Sequence, residues 1–92
     1  MKSYTREYMR YFGYGEEDWM PCERCGRRLV DVHHIFGRIG KWLNDILGLI
    51  GLCRECHDLA HAEKITKDEL KEIHLKFIKE HGPGGVFNIN IY

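Results

Sequence analysis

The spacing of apolar residues predicts a short amphipathic helix near the start of the chain. Aromatic side chains recur at helical spacing over about residues 3–12, and Ser3 is a candidate N-cap for them. The stripe consists of Tyr4, Tyr8, Tyr11 and Phe12. We interpret it as core packing, because aromatic stripes more often pack a core than stack on nucleic-acid bases. After an acidic turn, Trp19 and Met20 are expected to return to the core.

Two short strands and a second helix are predicted in the middle of the chain. Residues 29–33 alternate apolar and polar side chains, and residues 49–52 form an apolar run. Together they predict a β-hairpin. The connecting residues 42–47 are compatible with a helical turn or an irregular loop. A helix is then expected from about Cys56 to Glu63.

The last third of the chain predicts one more helix and a strand. Thr66 and Glu69 form a capping-box pattern that opens a helix over about residues 67–81, and Gly82 ends it. Its histidines are interpreted as surface or packing residues. Residues 86–91 alternate again and predict a terminal strand, which must pair with this domain or with another subunit. The expected fold class is α+β.

The length of 92 residues predicts one domain, residues 1–92, whose core alone is a marginal source of stability. Two C-x2-C pairs separated by 27 residues have the spacing of a tetrahedral structural zinc site. The four candidate ligands are Cys22, Cys25, Cys53 and Cys56. Disulfides are the alternative. The N-terminus is polar and aromatic and does not look like a signal peptide, so we expect a reducing, cytoplasmic compartment and zinc.

Charge is balanced over the whole chain but uneven along it. There are 14 basic and 14 acidic residues, which counts against a purely non-specific nucleic-acid binder. Residues 22–41 nevertheless hold five basic residues against two acidic ones, and a local basic patch is what contact with phosphate requires. No apolar stretch reaches the length of a membrane span, so no membrane partner is expected.

Four of the six histidines lie around the cysteine pairs: His33, His34, His57 and His61. On a helix, His57 and His61 share one face, one turn apart, and can reach a common ion. Exposed histidines on a zinc ribbon and mixed ligation of the structural ion are the alternatives. Asp31 shares a strand face with His33 and can orient its ring, or it can pair with Arg27 or Arg28.

The segment Asp31-Val32-His33-His34-Ile35, followed by residues 49–57 and by His61, resembles the HNH endonucleases with a ββα-metal core and an embedded four-cysteine zinc. The resemblance covers a core of about residues 22–63. It implies that His33 binds a catalytic divalent metal and that His34 is the general base. It also implies that His57 and His61 complete the protein ligands of that metal.

The same resemblance implies a metal-dependent endonuclease that hydrolyses DNA, with a structural Zn²⁺ and a catalytic Mn²⁺, Mg²⁺, Ni²⁺ or Zn²⁺. The expected setting is a bacterial or phage-infected cell. A monomer would nick one strand, and a homodimer would cut both. A non-catalytic zinc-ribbon module that binds nucleic acid or protein is the alternative. The candidate DNA-binding residues are Arg27, Arg28, Arg38 and Lys41.

One position departs from the family pattern. The family usually has an asparagine nine residues before the first helix histidine, where it pins the loop that positions the base. Here that slot holds Gly48, and the nearest asparagine is Asn44. Asn44 is therefore the candidate for this role, unless another group substitutes.

Overall fold

In the computed structural model, residues 2–82 are described, and within them three helices surround a two-stranded antiparallel sheet. The elements are α1 (Ser3–Phe12), β1 (Asp31–His34), β2 (Leu49–Leu52), α2 (Arg54–His61) and α3 (Lys67–His81). The predicted α+β class is thus confirmed for this part of the chain. The strand predicted at residues 86–91 lies outside the described residues. None of the helices in residues 2–82 is long and apolar enough to cross a membrane.

The hairpin has a register that sends its two histidines to opposite faces. His33 pairs with Ile50 and His34 with Leu49 across the strands. Because side chains alternate along a strand, the His33 ring faces α2 and the His34 ring faces α1. Two single turns of 3-10 helix, Gly40–Leu43 and Ile46–Gly48, fill the connection between the strands.

Each face of the sheet carries its own apolar cluster. The first cluster contains Cys22, Ile35, Ile50, Leu52, Cys53, Cys56, Ala60, Ile65 and Leu70. The second contains Tyr4, Tyr8, Val32 and Leu49 and fixes α1 against the sheet. A Cβ on Gly51 would lie 2.6 Å from the Tyr8 hydroxyl, so only glycine allows α1 to approach β2 this closely.

Two predicted helix starts need correction. The Ser3 hydroxyl does not cap α1, whose N-cap is Lys2; Ser3 Oγ instead donates to Asn44 Oδ1 at 3.0 Å. Helix α2 begins at Arg54 and not near residue 56, because Cys53 is its N-cap and its sulfur accepts a hydrogen bond from the Cys56 amide at 3.4 Å. A thiol is not an ordinary capping group, so the sequence pattern placed this start too late.

The prediction that Trp19 lies in the core is also wrong. Its side chain is 60% exposed, and its neighbour Met20 is half-buried. In α3 the predicted capping box of Thr66 and Glu69 is confirmed, with both reciprocal hydrogen bonds present. That helix also buries a residue that the apolar pattern did not include, His74.

His74 takes part in a buried polar network that ties α1 and α3 to the first cysteine pair. The Glu23 side chain is 0% exposed and the His74 side chain 1% exposed, with His74 Nδ1 2.8 Å from Glu23 Oε1. Glu23 Oε2 accepts from the Tyr8 hydroxyl at 2.6 Å and from the Gly51 amide at 3.1 Å. His74 Nε2 donates to the Ile46 carbonyl at 2.6 Å. One carboxylate thus joins both flanking helices to the hairpin.

Candidate metal centres

The four cysteines come together where the first C-x2-C turn meets the start of α2. Their sulfur atoms all lie within 4.8 Å of one another. Cys25 Sγ and Cys53 Sγ are 3.6 Å apart, much farther than the roughly 2.05 Å of a disulfide. Ideal tetrahedral zinc–thiolate geometry, with bonds of about 2.3 Å, gives edges of roughly 3.8 Å between sulfurs. The cluster therefore fits a structural metal such as zinc.

The surroundings of Cys53 and Cys56 shift the pKa values of these two thiols in opposite directions. Burial raises the pKa of the Cys56 thiol to about 12, although the Arg24 guanidinium, 3.4 Å from its sulfur, acts in the opposite direction. For Cys53, burial is outweighed by the amide of Cys56 and the neighbouring thiols, which lower its pKa to about 7. Cys53 is thus the first of these two ligands to ionise before a metal binds. Arg24 was not singled out from the sequence.

A second cluster is formed by His33 of β1 with His57 and His61 of α2. One ring nitrogen of each lies within 4.8 Å of the other two. The His57 and His61 Nε2 atoms are 3.0 Å apart, and the His33 ring centroid lies 5.2 and 5.0 Å from theirs. The helical spacing of His57 and His61 brings both to the face that meets β1. Three convergent imidazoles are a donor set suited to a divalent transition-metal ion.

Two of these imidazoles, His33 and His57, are held in the protonation state that binds metal. Burial, together with the neighbouring His57 and His61, lowers the pKa of His33 to about 4. Burial and then His61 lower the pKa of His57. A neutral imidazole offers a lone pair to a metal, whereas an imidazolium does not. Near neutral pH, His33 and His57 therefore need to lose no proton before an ion binds.

His34 lies beside this cluster but has a different environment. Its Nε2 is 3.0 Å from the backbone carbonyl of Leu43. Since a carbonyl only accepts, Nε2 carries the hydrogen, and Nδ1 of the neutral ring is the basic nitrogen. The ring also meets Tyr4 edge-on, with 4.3 Å between centroids. His34 thus has a defined tautomer and orientation, which a general base requires.

The loop that carries the Leu43 carbonyl is not held in the way the family pattern suggests. Asn44 accepts from Ser3, so its side chain links the loop to α1. The turn after it is closed by Asp45, whose Oδ1 accepts from the Leu47 amide at 2.9 Å. Gly48 is buried, and a Cβ there would lie 3.0 Å from the Trp42 ring. The Trp42 ring therefore leaves little room for a larger residue in the asparagine slot.

The four candidate DNA-binding residues do not form one surface. Arg38 lines the histidine cleft and donates to the Tyr4 hydroxyl at 2.8 Å. Lys41 lies 3.8 Å from an oxygen of Asp45 and 4.6 Å from the centre of the Trp42 ring. Arg27 and Arg28 line a separate depression beside α2, whose lining includes none of the four histidines.

The two alternatives for Asp31 can be compared with its observed contacts. Its Oδ1 accepts from the Val32 amide at 2.8 Å, and among residues 2–82 Arg27 pairs with Glu55 at 2.7 Å. Within residues 2–82, Asp31 shows neither a hydrogen bond to the His33 ring nor a pair with Arg27 or Arg28. Its charge still acts on the histidine cluster, where it opposes the lowering of the His33 pKa.

The three histidines of the cluster and His34 all line one cleft of about 510 Å³, which Asp31 and Arg38 also line. Sequence reasoning missed the contributions of Tyr4 and of the Leu43 carbonyl, because both reach His34 only through tertiary contacts. A backbone carbonyl leaves no signature in a sequence. Comparison of the chain with protein-family models, with curated proteins and with solved structures gave no match.

Proposed function

We propose that the protein is a metal-dependent DNA endonuclease of the HNH type, built on a zinc-stapled ββα-metal core at residues 22–63. The observation that carries this proposal is the cleft itself. Three imidazole nitrogens converge there, and the next residue along β1, His34, presents an oriented basic nitrogen. Hydrolysis of a phosphodiester needs these two components side by side.

The histidines and the charged residues of the cleft then have different roles in the proposed reaction. His33, His57 and His61 would hold the divalent ion, which when bound supplies Lewis-acid stabilisation of the phosphate and the leaving oxygen. His34 Nδ1 takes a proton from the attacking water, while its Nε2 keeps its hydrogen on the Leu43 carbonyl. Arg38 donates to a non-bridging phosphate oxygen of the DNA backbone. The Asp31 carboxylate acts to raise the pKa of His33 and His57, and its negative charge would likewise favour a cation bound to these rings.

The substrate is proposed to be the DNA backbone and not a base sequence. Arg38 is the cation that lines the cleft, and a contact from its guanidinium to the phosphate backbone carries no sequence information by itself. One cleft cuts one strand. A monomer therefore nicks, and a double-strand break requires a homodimer or a second encounter.

The direct test is nicking of supercoiled plasmid by the purified protein, with Mn²⁺, Mg²⁺, Ni²⁺ and Zn²⁺ added separately. The wild-type protein is expected to nick with at least one of these ions. His34→Ala is expected to lose about 10²- to 10⁴-fold in rate, the usual contribution of a general base. It should retain one equivalent of zinc and an unchanged circular dichroism spectrum, because the ring is outside the cysteine cluster.

His81→Ala is the matched control, since it removes an exposed histidine at the far end of α3. It is expected to nick at the wild-type rate. Nicking by His34→Ala at that same rate would overturn the assignment of the base. Failure of the wild-type protein with every ion would overturn the nuclease proposal and leave a zinc-ribbon binding module.

A further inference from the structure

Tyr4, on the first turn of α1, contacts both side chains that the proposed reaction requires next to the metal ligands. Its ring meets the His34 ring edge-on at 4.3 Å between centroids. Its hydroxyl accepts from Arg38 Nη2 at 2.8 Å, and the same guanidinium lies 5.2 Å from the ring centre. Tyr4 is only 6% exposed, so these contacts are part of the packed structure and not of a mobile surface.

The geometry of β1 explains why the cleft needs such a residue. His33 and His34 are adjacent, so the strand sends the metal ligand toward α2 and the other ring toward α1. The hairpin and α2 can therefore complete the metal site without fixing the His34 ring. One side of that ring is held by the Leu43 carbonyl. The Tyr4 ring supplies the other side, and an edge-on ring contact has a defined orientation.

The hydroxyl of Tyr4 acts on Arg38 in a similar way. Arg38 lies in a loop segment and is exposed, so its long side chain has many rotamers available. The hydrogen bond to Tyr4 and the contact with its ring select an orientation at the rim of the cleft. A guanidinium that is already oriented loses less freedom when it binds a phosphate.

We propose that Tyr4 is a positioning residue of the nuclease: its ring orients His34 for proton transfer and its hydroxyl orients Arg38 for phosphate binding. This inference rests on the proposed function. It makes α1, which lies outside the HNH-like core of residues 22–63, a part of the active site. The two halves of the side chain have separable effects, one on the rate and one on DNA binding.

The test compares Tyr4→Phe with Tyr4→Leu in single-turnover cleavage of a labelled DNA duplex, with the activating metal and a range of protein concentrations. Tyr4→Phe keeps the ring, so its saturating rate is expected to stay within about twofold of wild type. Its half-saturation concentration should rise about two- to tenfold, the size expected for one lost hydrogen bond. Tyr4→Leu removes the ring contact, and its saturating rate should fall about 10- to 100-fold.

A second readout does not depend on cleavage. Fluorescence anisotropy measures duplex binding without added divalent ion, and Tyr4→Phe should weaken binding by the same factor as in the cleavage assay. In an Arg38→Ala background, Tyr4→Phe should have no further effect, because the hydroxyl acts through that guanidinium. Tyr8→Phe is the matched control, since it removes a hydroxyl one turn along α1 that contacts Glu23 and not the cleft.

Three results would overturn the inference. The first is a wild-type saturating rate for folded, zinc-loaded Tyr4→Leu. The second is a loss of rate by Tyr4→Phe as large as that of Tyr4→Leu. The third is that the effects of Tyr4→Phe and Arg38→Ala on duplex binding are fully additive. If Tyr4→Leu does not fold, the third result still decides, and so does a Tyr4→Phe saturating rate that falls well beyond the expected twofold. Absence of cleavage by the wild-type protein would refute the proposed function instead, and the anisotropy cycle would then test the Arg38 link alone.

Discussion

Removal of the His74 side chain should cost this small domain a large part of its stability. The perturbation is His74→Ala, which takes away the partner 2.8 Å from Glu23 Oε1 and the donor to the Ile46 carbonyl. Both side chains of the pair are essentially fully buried, at 0% and 1% exposure, so solvent does not screen the loss. Truncation leaves a buried carboxylate with the Tyr8 and Gly51 donors on its other oxygen only.

The magnitude follows from that burial. Removing one partner of a buried, hydrogen-bonded pair of ionisable groups leaves the other partner unsatisfied, at a cost of about 3–5 kcal/mol. At about 0.05–0.15 kcal/mol per residue, a domain of this length has a free energy of unfolding of roughly 5–14 kcal/mol. His74→Ala should therefore remove a third or more of the stability of a mid-range domain.

The assay is urea unfolding followed by circular dichroism at a fixed, buffered concentration of free zinc. Fixed zinc matters because metal binding contributes to the unfolding free energy. Lys76→Ala, on the exposed face of the same helix, is the control and should change stability by less than about 0.5 kcal/mol. Glu23→Gln combined with His74→Ala should cost less than the sum of the single variants by about 1 kcal/mol or more.

Two results would contradict this role of His74: a cost of less than about 1 kcal/mol for His74→Ala, or additive effects of the Glu23 and His74 substitutions. Either result would mean that the buried pair does not hold α3 to the first cysteine turn. The folding of the domain would then rest on the apolar clusters and the cysteine cluster alone.

Other expectations follow from single contacts. Gly51→Ala should destabilise the fold by about 1–3 kcal/mol in the same unfolding assay, because the new methyl group meets the Tyr8 hydroxyl; a neutral effect would contradict the close approach of α1. Thr66→Ala should cost about 1 kcal/mol by loss of the cap to the Glu69 amide, and an unchanged midpoint would speak against that cap. With the histidine cluster metal-free, NMR should show His33 still mostly neutral at pH 5. Its pKa near 4 means that the unfolded chain binds more protons between about pH 4 and 6.5, so this group makes folding less favourable as pH falls through that window. A ring that titrates at its ordinary value would show that it is not buried among the other two.

The sequence predicted the features that depend on local spacing. The capping box of α3, the two C-x2-C pairs and the helical spacing of His57 and His61 each involve residues a few positions apart, and such patterns are visible in a single chain. The hairpin was predicted for the same reason. Its strands are short but bounded by clear changes in the apolar pattern.

Features that depend on distant contacts were not predicted. Glu23 and His74 are 51 residues apart, and Tyr4 and Arg38 are 34 apart. A buried histidine looks like a polar residue on a helix until its partner is known. An apolar Trp19 predicts a core position, but Tyr4 and Tyr8 pack against the sheet and the Trp19 side chain is exposed.

The proposed nuclease depends on a divalent ion that His33, His57 and His61 hold next to His34. A crystal of the protein soaked in Mn²⁺, measured at a wavelength where manganese scatters anomalously, tests it most directly. One anomalous peak is expected within about 2.3 Å of a ring nitrogen of each of the three histidines, at the edge of the cleft that Arg38 lines. Well-ordered histidine rings with no peak among them, at a manganese concentration that supports nicking, would contradict it.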